Sequence, residues 1–326
     1  MKKFLAFLGI LLSVSALFAE LIVYSSVDEA NARKILNKFS EETGVKVKFV
    51  FLSSGPALTR LEAEKSNPQA DVWFGAPMSN HILAKEKKLT TPYNLKIENI
   101  SQDFYDAEGY YHTFYMNPIG IGVNLKVMEQ IKAAVPKTWQ DLTKYVYTNM
   151  IQYPNPQSSG TAYSFITGLV KIYGEDEAFN YLKKIAKNVQ SYTQSGTGPS
   201  KTVGVGQAGI GIQFTPAFFE FKDQGYPIEI VFPADGVPYE SACVSIVNGT
   251  KNMQESSKLV DWLMSKNGQQ AIVDAKTYFY PVRSDVNFGN LQPLSTIKLI
   301  TVDEKWAADN KKRLTDKWIE LVLPVK

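Results

Sequence analysis

Cysteine and histidine are scarce in this chain, and their scarcity limits both its chemistry and its fold. The 326 residues include one cysteine, Cys243, and two histidines, His81 and His112. A single cysteine cannot form an intramolecular disulfide, so the apolar core has to stabilise the fold. The two histidines lie in unrelated segments without metal-ligand spacing, so we expect surface or structural roles for them and predict no metal site.

Common catalytic motifs are also missing. The chain contains no Gly-x-Ser-x-Gly, no Gly-x-x-x-x-Gly-Lys-Ser/Thr and no His-Glu-x-x-His sequence. Cys243 lies in an apolar extended segment with no histidine nearby, which favours a small core residue over a nucleophile. We therefore predict that the protein is not an enzyme and needs no cofactor. A hydrolase whose catalytic residues are remote in sequence stays open as an alternative.

Neither sign of charge is in excess. The chain has 35 Lys and Arg residues and 32 Asp and Glu residues. Lys2 and Lys3 belong to an N-terminal leader, and removing these two leaves 33 against 32, a net charge of +1. Binding of nucleic acid usually requires a strong basic excess, so we expect no nucleic-acid partner.

The one long apolar run lies at the N-terminus. Lys2 and Lys3 are followed by an apolar run over 4–12 and by a segment that ends in small residues at Ala19. This pattern is typical of a secretory signal peptide, and the run is too short to be a good membrane span. We predict that 1–19 is a signal peptide, cleaved after Ala19 or Ala16. Because no cysteine lies near this site, the exported protein is expected in the periplasm without a lipid anchor.

Strand and helix patterns alternate at the start of the mature chain. Each apolar extended segment is followed by a segment with helical periodicity. The predicted strands are 21–25, 45–52 and 71–75, and the predicted helices are 28–43, 56–65 and 78–88. This β-α order predicts a parallel sheet covered by helices.

Two extended segments, 115–124 and 239–247, interrupt this alternation. Between them we predict helices over 139–146, 161–173, 175–187 and 199–206, and strands ending at Tyr153 and spanning 209–214 and 228–232. Helices over 254–265, 267–275 and 302–323 follow. We predict an α/β fold of two lobes with these crossover strands as the hinge and a ligand cleft between the lobes. The predicted bounds are 20–117 with 247–290 for the N-terminal lobe, 118–246 for the C-terminal lobe, and 291–326 for a C-terminal helical segment packing on the lobes.

Four turns rich in Ser, Thr and Gly each lie between an extended segment and a predicted helix. They are Ser25-Ser26, Ser53-Ser54, Ser158-Ser159-Gly160-Thr161 and Ser195-Gly196-Thr197. A helix N-terminus has unpaired N–H groups and a partial positive charge, so it can bind an anion. Hydroxyls add donors, and glycine allows the backbone to approach a ligand. One such turn is an ordinary helix cap, whereas four predict a shared pocket for one small anionic molecule.

Other residues are assigned to this pocket by their place in the predicted sheet and hinge. Gly75 ends a strand, and open α/β sheets bind ligands at the carboxyl ends of their strands. Asn117 and Tyr239 lie on the crossovers, where each either contacts the ligand or packs under the hinge. Gln213 and Glu240 complete the predicted set as polar residues for the rest of the ligand.

Several segments together resemble one family of proteins. They are Val23-Tyr24-Ser25-Ser26, Ala70-Asp71-Val72-Trp73-Phe74-Gly75, Asn155-Pro156-Gln157-Ser158-Ser159-Gly160-Thr161-Ala162-Tyr163, Gly174-Glu175-Asp176-Glu177-Ala178, Tyr192-Thr193-Gln194-Ser195-Gly196 and Tyr280-Pro281-Val282-Arg283-Ser284-Asp285-Val286. The chain resembles periplasmic solute-binding proteins of ABC importers, in the ferric-iron-binding-like branch that includes hexose-phosphate and phosphonate binders. The resemblance implies a type II, two-lobed Venus-flytrap fold and delivery of the ligand to a permease in the inner membrane.

The resemblance leaves the ligand open, because expected residues are missing. Ferric-binding members use adjacent tyrosines with a His and a Glu, but the corresponding segments here read Gln213-Phe214-Thr215-Pro216-Ala217-Phe218-Phe219, Asp28 and Gly75-Ala76-Pro77. Hexose-phosphate members share the Ser-Ser-Gly-Thr turn but place a His-Asp pair where this chain has Phe214-Thr215-Pro216-Ala217. Gln213, Asp235 and Glu240 remain as polar partners for the end of the ligand away from the anion.

These observations predict a monomeric solute-binding protein that captures a small anionic, phosphorylated ligand and delivers it to an ABC permease. Hinge closure would bring ligand contacts from both lobes together. Ferric iron held through a synergistic anion is the alternative. A polyamine or another cationic ligand is a further alternative, and the Ser- and Gly-rich turns argue against it.

Overall fold

The first part of the chain forms a parallel sheet covered by helices, as predicted. The computed structural model describes residues 20–325. Its first strands are β1 (Leu21–Ser25), β2 (Val47–Phe51) and β3 (Val72–Pro77), followed respectively by α1 (Glu29–Thr43), α2 (Ser54–Ala63) and α3 (Met78–Glu86). β1 pairs in parallel with β2 on one side and with β3 on the other. The carboxyl ends of these strands therefore lie at one edge of the sheet, where the following helices begin.

The ends of α1 illustrate how the sequence sets these elements. Asp28 accepts a hydrogen bond from the backbone N–H of Asn31 over 3.1 Å, which caps the helix N-terminus. Gly44 ends the helix with a φ of 75°, a left-handed conformation that favours glycine. The buried face repeats at helical spacing and contains Ala32, Ile35, Leu36 and Phe39.

Two long strands run between the two parts of the molecule. β5 (His112–Asn124) and β10 (Val237–Val247) pair antiparallel with each other, and β10 also pairs with β3. The second half of β5 pairs instead with β8 (Ile210–Phe214) and β9 (Ile228–Val231). With β6 (Ile151–Pro154) and β7 (Val189–Thr193), the sheet order is β2-β1-β3-β10-β5-β8-β6-β7. We call the part built on β1–β3 the first lobe and the part built on β6–β9 the second lobe.

The remaining elements cover these strands. The other helices are α4 (Leu125–Gln130), α5 (Gly160–Tyr173), α6 (Glu175–Ala186), α7 (Gly198–Gly204), α8 (Pro216–Asp223), α9 (Met253–Met264), α10 (Lys266–Asp274) and α11 (Glu304–Leu321). Two short strands, β4 (Thr90–Thr91) and β11 (Leu299–Ile300), pair with β10. Single 3₁₀ turns span Gln102–Phe104, Gln140–Thr143, Tyr145–Tyr147, Leu294–Thr296 and Leu323–Val325.

One predicted helix, over 139–146, is wrong. The segment forms two 3₁₀ turns separated by an extended Lys144. The side-chain amide of Asn188 donates to the carbonyls of Leu142 and Lys144, over 2.8 and 2.9 Å, so tertiary contacts take the acceptors that a helix would use. Two further helices, α4 and α8, are not among the predicted elements and are only 6 and 8 residues long.

Each lobe has an apolar core, and α11 contacts both lobes. Leu314 and Trp318 of α11 are fully buried in the second-lobe core, while Ala308 packs with Met78 and Ile82 of α3 in the first lobe. The residue bounds predicted for the lobes stay a prediction. Within residues 20–325, none of the helices is long and apolar enough to cross a membrane. The predicted signal peptide, 1–19, lies outside the described residues.

Candidate functional site

A cleft between the lobes gathers most of the predicted ligand-binding residues. Its volume is about 570 Å³, counting the open mouth. The predicted residues that line it are Ser26, Ser53, Ser54, Asn117, Ser159, Gly160, Thr161, Ser195, Gly196, Thr197 and Glu240. They come from both lobes and from both crossover strands, so the sheet topology brings distant parts of the sequence together.

The N-termini of α2 and α5 meet at this cleft, one from each lobe. The backbone N–H of Gly55 donates to the carbonyl of Ser158 over 3.2 Å, and the hydroxyl of Ser53 donates to the carbonyl of Gln194 over 3.4 Å. Each helix end has a partial positive charge, and the first backbone N–H groups of α5 have no helical partners, whereas in α2 Gly55 already donates to Ser158 and Pro56 has no N–H. The lining hydroxyls of Ser54 and Thr161 add donors at the same place. This arrangement can hold an anion without a cationic side chain.

Glycine at the start of α5 is what allows the two helix ends to approach each other. A Cβ atom on Gly160 would lie 2.7 Å from the hydroxyl oxygen of Ser54 and 2.8 Å from Cδ of Pro77. Both distances are shorter than van der Waals contact, so a side chain at this position would push the lobes apart or displace Ser54.

Ser26 lines the cleft, but its hydroxyl has other partners. It donates to the carbonyl of Leu52 over 2.9 Å and accepts from the indole N–H of Trp73 over 3.0 Å. These bonds connect the ends of β1, β2 and β3. The structure thus gives Ser26 a role in shaping the edge of the sheet.

Three predicted residues with hydroxyls lie outside the cleft, which corrects the sequence analysis. Ser25 is fully buried, and its hydroxyl donates to the carbonyl of Val27 over 2.9 Å. Ser158 lines a neighbouring groove and donates to the carbonyl of Gln194 over 2.9 Å. Tyr239 is half-buried, and its hydroxyl donates to that of Thr301 over 3.3 Å.

Two further predicted residues, Gly75 and Gln213, also lie outside the cleft. Gly75 precedes the lining residue Ala76, and its carbonyl contacts Nε2 of His81 at 2.7 Å. Gln213 is fully buried, and its side-chain oxygen accepts from the backbone N–H of Ser200 over 2.8 Å. Both residues are thus sequence neighbours of lining residues and do not line the cleft themselves, and strand position alone did not distinguish these two places.

Carboxyl groups also border the cleft. Glu240 of β10 lies opposite Asn117 of β5, whose side-chain amide donates to Oε1 of Glu240 over 3.0 Å. Burial raises the pKa of Glu240 to about 8; the bond from Asn117 lowers this pKa, and the charge of Glu304 raises it. Asp28, the cap of α1, is the second lining carboxyl group.

Aromatic side chains form much of the remaining wall, and the sequence analysis missed them. Tyr115 and Phe279 both line the cleft and stack with ring centroids 4.0 Å apart. Tyr115 precedes Asn117 by two residues on β5, so strand periodicity would have placed both on one face. Phe51 and Phe214 also line the cleft, and each ends a strand that leads to the site.

In the part of the chain that the structure describes, no Lys, Arg or His side chain lines the cleft. Arg60 pairs with Glu64 over 2.8 Å, and Arg283 pairs with Asp285 over 2.9 Å. Both arginines are thus paired with carboxylates away from the cleft. The groups available in this cleft to contact a charged ligand are therefore backbone N–H groups, hydroxyls and two carboxyl groups.

Comparison with known proteins identifies the family. Residues 68–304 match the family model described as bacterial extracellular solute-binding protein. The chain belongs to this family. An uncharacterized protein of Haemophilus influenzae is 36% identical over 320 residues, which cover 93% of this chain and 90% of the relative. The structure of AfuA from Actinobacillus pleuropneumoniae with exogenous fructose-6-phosphate bound is 32% identical, with a TM-score of 0.89 over 93% of this chain and 98% of that chain. A putative 2-aminoethylphosphonate-binding periplasmic protein of Salmonella typhimurium is 26% identical over 254 residues, which cover 76% of this chain and 73% of the relative.

Membership of the solute-binding family confirms the predicted fold class. The two-lobed type II architecture and the branch that includes hexose-phosphate, phosphonate and ferric-ion binders are those predicted from the sequence. Proteins of this kind bind small solutes in the periplasm and deliver them to the permease of an ABC importer. The relatives are binding proteins rather than enzymes.

The remaining candidate residues of this solute-binding protein have structural partners. His81 is buried against Trp73, contacts the hydroxyl of Ser245 at 2.7 Å, and has its pKa lowered to about 4 by burial. Cys243 is buried in β10. Asp235 accepts from the hydroxyl of Tyr173 over 2.7 Å, inside the second lobe. Among residues 20–325, no group of three or more His, Cys, Asp or Glu residues is arranged to hold a metal ion.

Proposed function

We propose that this solute-binding protein captures a small ligand that carries a phosphate or phosphonate group. The observation that carries the proposal is the meeting of two helix N-termini, α2 and α5, at a cleft lined by hydroxyls. A phosphoryl group offers several acceptor oxygens to such donors. Two relatives support the same chemistry, since one binds fructose-6-phosphate and the other is a putative 2-aminoethylphosphonate binder.

Hinge closure couples capture to delivery. The anion contacts would come from the first lobe through Ser54 and from the second lobe through Gly160 and Thr161. A ligand that contacts both lobes stabilises the closed state relative to the open state, because only the closed state makes both sets of contacts. β5 and β10 form the hinge between the lobes, and the closed form docks on a permease in the inner membrane. The mature protein acts as a monomer after its signal peptide is removed.

The test is isothermal titration of refolded, ligand-free protein with phosphate monoesters, phosphonates and inorganic phosphate. Ser54→Ala and Thr161→Val each remove one lining hydroxyl and keep most of the side-chain volume. Loss of a hydrogen bond to a charged group costs about 1.5–3 kcal/mol, so each variant is expected to bind roughly ten- to a hundred-fold more weakly. Ser158→Ala is the matched control, because this hydroxyl belongs to the same turn as Thr161 but lies outside the cleft.

Two results would contradict the proposal. One is binding that weakens equally in the Ser158→Ala control and in the two cleft variants. The other is a response to ferric citrate alone, with a visible charge-transfer absorbance and no binding of phosphate esters or phosphonates. The second result would support the alternative of ferric iron held through a synergistic anion.

A further inference from the structure

The charges that line the cleft are unusual for a site that binds only an anion. Asp28 and Glu240 both line it, and among residues 20–325 no cationic side chain does. Both carboxyl groups lie close enough to Tyr115 to affect its phenol. Burial is the largest cause of the raised pKa of Tyr115, and the charges of Glu240 and then Asp28 raise it further. A ligand with negative charge alone would therefore meet two carboxyl groups in one small space.

Asn117 gives a second, independent indication at the same place. Its side chain is 3% exposed, borders the cleft and donates to Glu240. Its side-chain oxygen Oδ1 has no hydrogen-bond partner within residues 20–325. Leaving a buried polar atom unpaired costs about 1–3 kcal/mol, so this oxygen favours a ligand that brings a donor.

These three groups share one chemical property, since each is an acceptor of hydrogen bonds. Asp28 uses acceptor positions for the backbone and side-chain N–H groups of Asn31, and a carboxylate has further positions free. A primary ammonium group offers three donors, which satisfy the acceptors, and one positive charge, which favours the ionised form of a neighbouring carboxyl group. A neutral hydroxyl would supply a donor without offsetting the charge.

We propose that the ligand is a zwitterion with an ammonium group between Asp28, Glu240 and Oδ1 of Asn117, and a phosphate or phosphonate group at the N-termini of α2 and α5. This rests on the proposed function, which supplies the anion end. The aromatic wall of Tyr115 and Phe279 lies beside the acceptors and suits a cation near ring faces. The acidic and aromatic part of the lining thus serves the ammonium end of the ligand, and the hydroxyls and helix N-termini serve the other end.

Proton linkage gives the proposal a second measurable consequence. The pKa of Glu240 is about 8 in the unliganded protein, so its carboxyl group is mostly protonated at pH 7. Glu304 faces it as a like charge, and Asn117 donates to it. The phenol of Tyr115 and the thiol of Cys243 are neutral because burial raises their pKa values. An ammonium group beside Glu240 favours its ionised form, so binding at pH 7 is expected to release a proton.

The test uses matched compounds that differ only in the amino group. Isothermal titration compares 2-aminoethylphosphonate with ethylphosphonate, and glucosamine 6-phosphate with glucose 6-phosphate, on the full mature chain. The expected result is at least ten-fold tighter binding of the amino compound in one pair or both, with proton release measured in buffers of different ionisation enthalpy. Equal or tighter binding of the compounds without the amino group in both pairs would overturn the zwitterion proposal and leave the proposed function in place. Binding of none of the four compounds would contradict both proposals.

Variants test the residues that are assigned to the ammonium group. Asp28→Asn keeps a good helix cap, and Glu240→Gln keeps an oxygen to accept from Asn117. Each is expected to reduce the preference for the amino compound about ten-fold or more, and Glu240→Gln is expected to abolish the proton release. The Ser158→Ala control should preserve both preference and proton release. An unchanged preference in both cleft variants would overturn the assignment.

Discussion

Gly160 is a residue at which a single added atom would disturb the contact between the two lobes at the cleft. Gly160→Ala places a Cβ atom against Ser54 and Pro77 of the first lobe. We expect this variant to keep its fold and to lose most of the thermal shift that ligand gives, because closure is obstructed. The measurement is differential scanning fluorimetry with and without a phosphorylated ligand that the wild type binds.

Gly225→Ala is the control for Gly160→Ala. Gly225 has a φ of 88°, and a Cβ atom there meets open space, so alanine adds backbone strain without touching the cleft. This variant should unfold at a lower temperature and keep its full ligand shift. A Gly160→Ala protein with an undiminished ligand shift would show that the approach of the helices does not limit closure.

Burial of Glu304 is expected to make the stability of the fold depend on pH. It caps α3 by accepting from the backbone N–H of Ser79 over 3.1 Å, and burial raises its pKa from 4.5 to about 7. Between these two values the folded state holds a proton that the unfolded chain has released, so the free energy of unfolding falls as pH rises. Glu304→Gln removes this term and is expected to gain roughly 1–3 kcal/mol relative to wild type between pH 4.5 and pH 8.

Urea unfolding at several pH values measures this effect. Glu41→Gln changes an exposed glutamate of α1 and serves as the control. A difference between Glu304→Gln and wild type that stays constant from pH 4.5 to pH 8 would contradict the argument.

At the residue scale, the sequence indicated which hydroxyl side chains line the cleft better than it indicated which carboxyl and aromatic side chains do. Ser54 and Thr161 could be placed because a turn between strand and helix has a known position in a parallel sheet. The residue type of Gln213 does not indicate whether its side chain faces the cleft or is buried away from it. Its position depends on the packing around it, where it accepts from Ser200. Phe279 comes from an irregular segment outside the crossovers, so no local pattern signals its position in the cleft.

At the scale of elements, α8 of the second lobe contacts the first lobe beside the cleft. Nζ of Lys34 in α1 lies 2.6 Å from Oε1 of Glu220, and the rings of Phe219 and Tyr278 stack with centroids 5.6 Å apart. The hydroxyl of Tyr278 also donates to Asp223. These contacts connect opposite lobes, so they would stabilise the closed state in the proposed hinge closure.

Lys34→Gln is expected to weaken ligand binding slightly, because it removes one contact of the closed state. Lys34 is partly exposed, and such ion pairs contribute about 0–1 kcal/mol, so the expected loss of affinity is up to about five-fold. Arg33→Gln is the control, since Arg33 pairs with Glu29 within α1 itself. Isothermal titration of both variants measures the effect, and equal affinities for the two would contradict a role for this contact in closure.

The elements that the sequence predicted are those with strong local signals. α1 has a cap, an apolar face and a terminal glycine, and its bounds agree with the prediction to within a residue. The segment 139–146 also has helix-forming residues, but Asn188 binds its carbonyls from another element. α8 was missed because Pro216–Asp223 spans only 8 residues, which is too short for a clear helical period.

At the scale of the whole molecule, the two crossover strands explain both the fold and the location of the site. β5 and β10 were predicted because each is an extended segment that separates two β-α patterns. Their pairing brings Asn117 and Glu240 opposite each other under the cleft. This register could not be read from the sequence, because Asn117 and Glu240 are 123 positions apart and the fold of the chain between them decides it. The family comparison confirms the architecture, while the ligands named for its relatives differ, since one structure holds fructose-6-phosphate and another relative is a putative 2-aminoethylphosphonate-binding protein.

The most direct test of the central claim is a crystal structure of the protein with a bound phosphonate or phosphate ester. The account predicts phosphoryl oxygens within about 3 Å of the hydroxyls of Ser54 and Thr161 and of the backbone N–H groups at the start of α5. A phosphoryl group bound elsewhere, or a cleft that holds ferric iron with the anion only as its co-ligand, would contradict it.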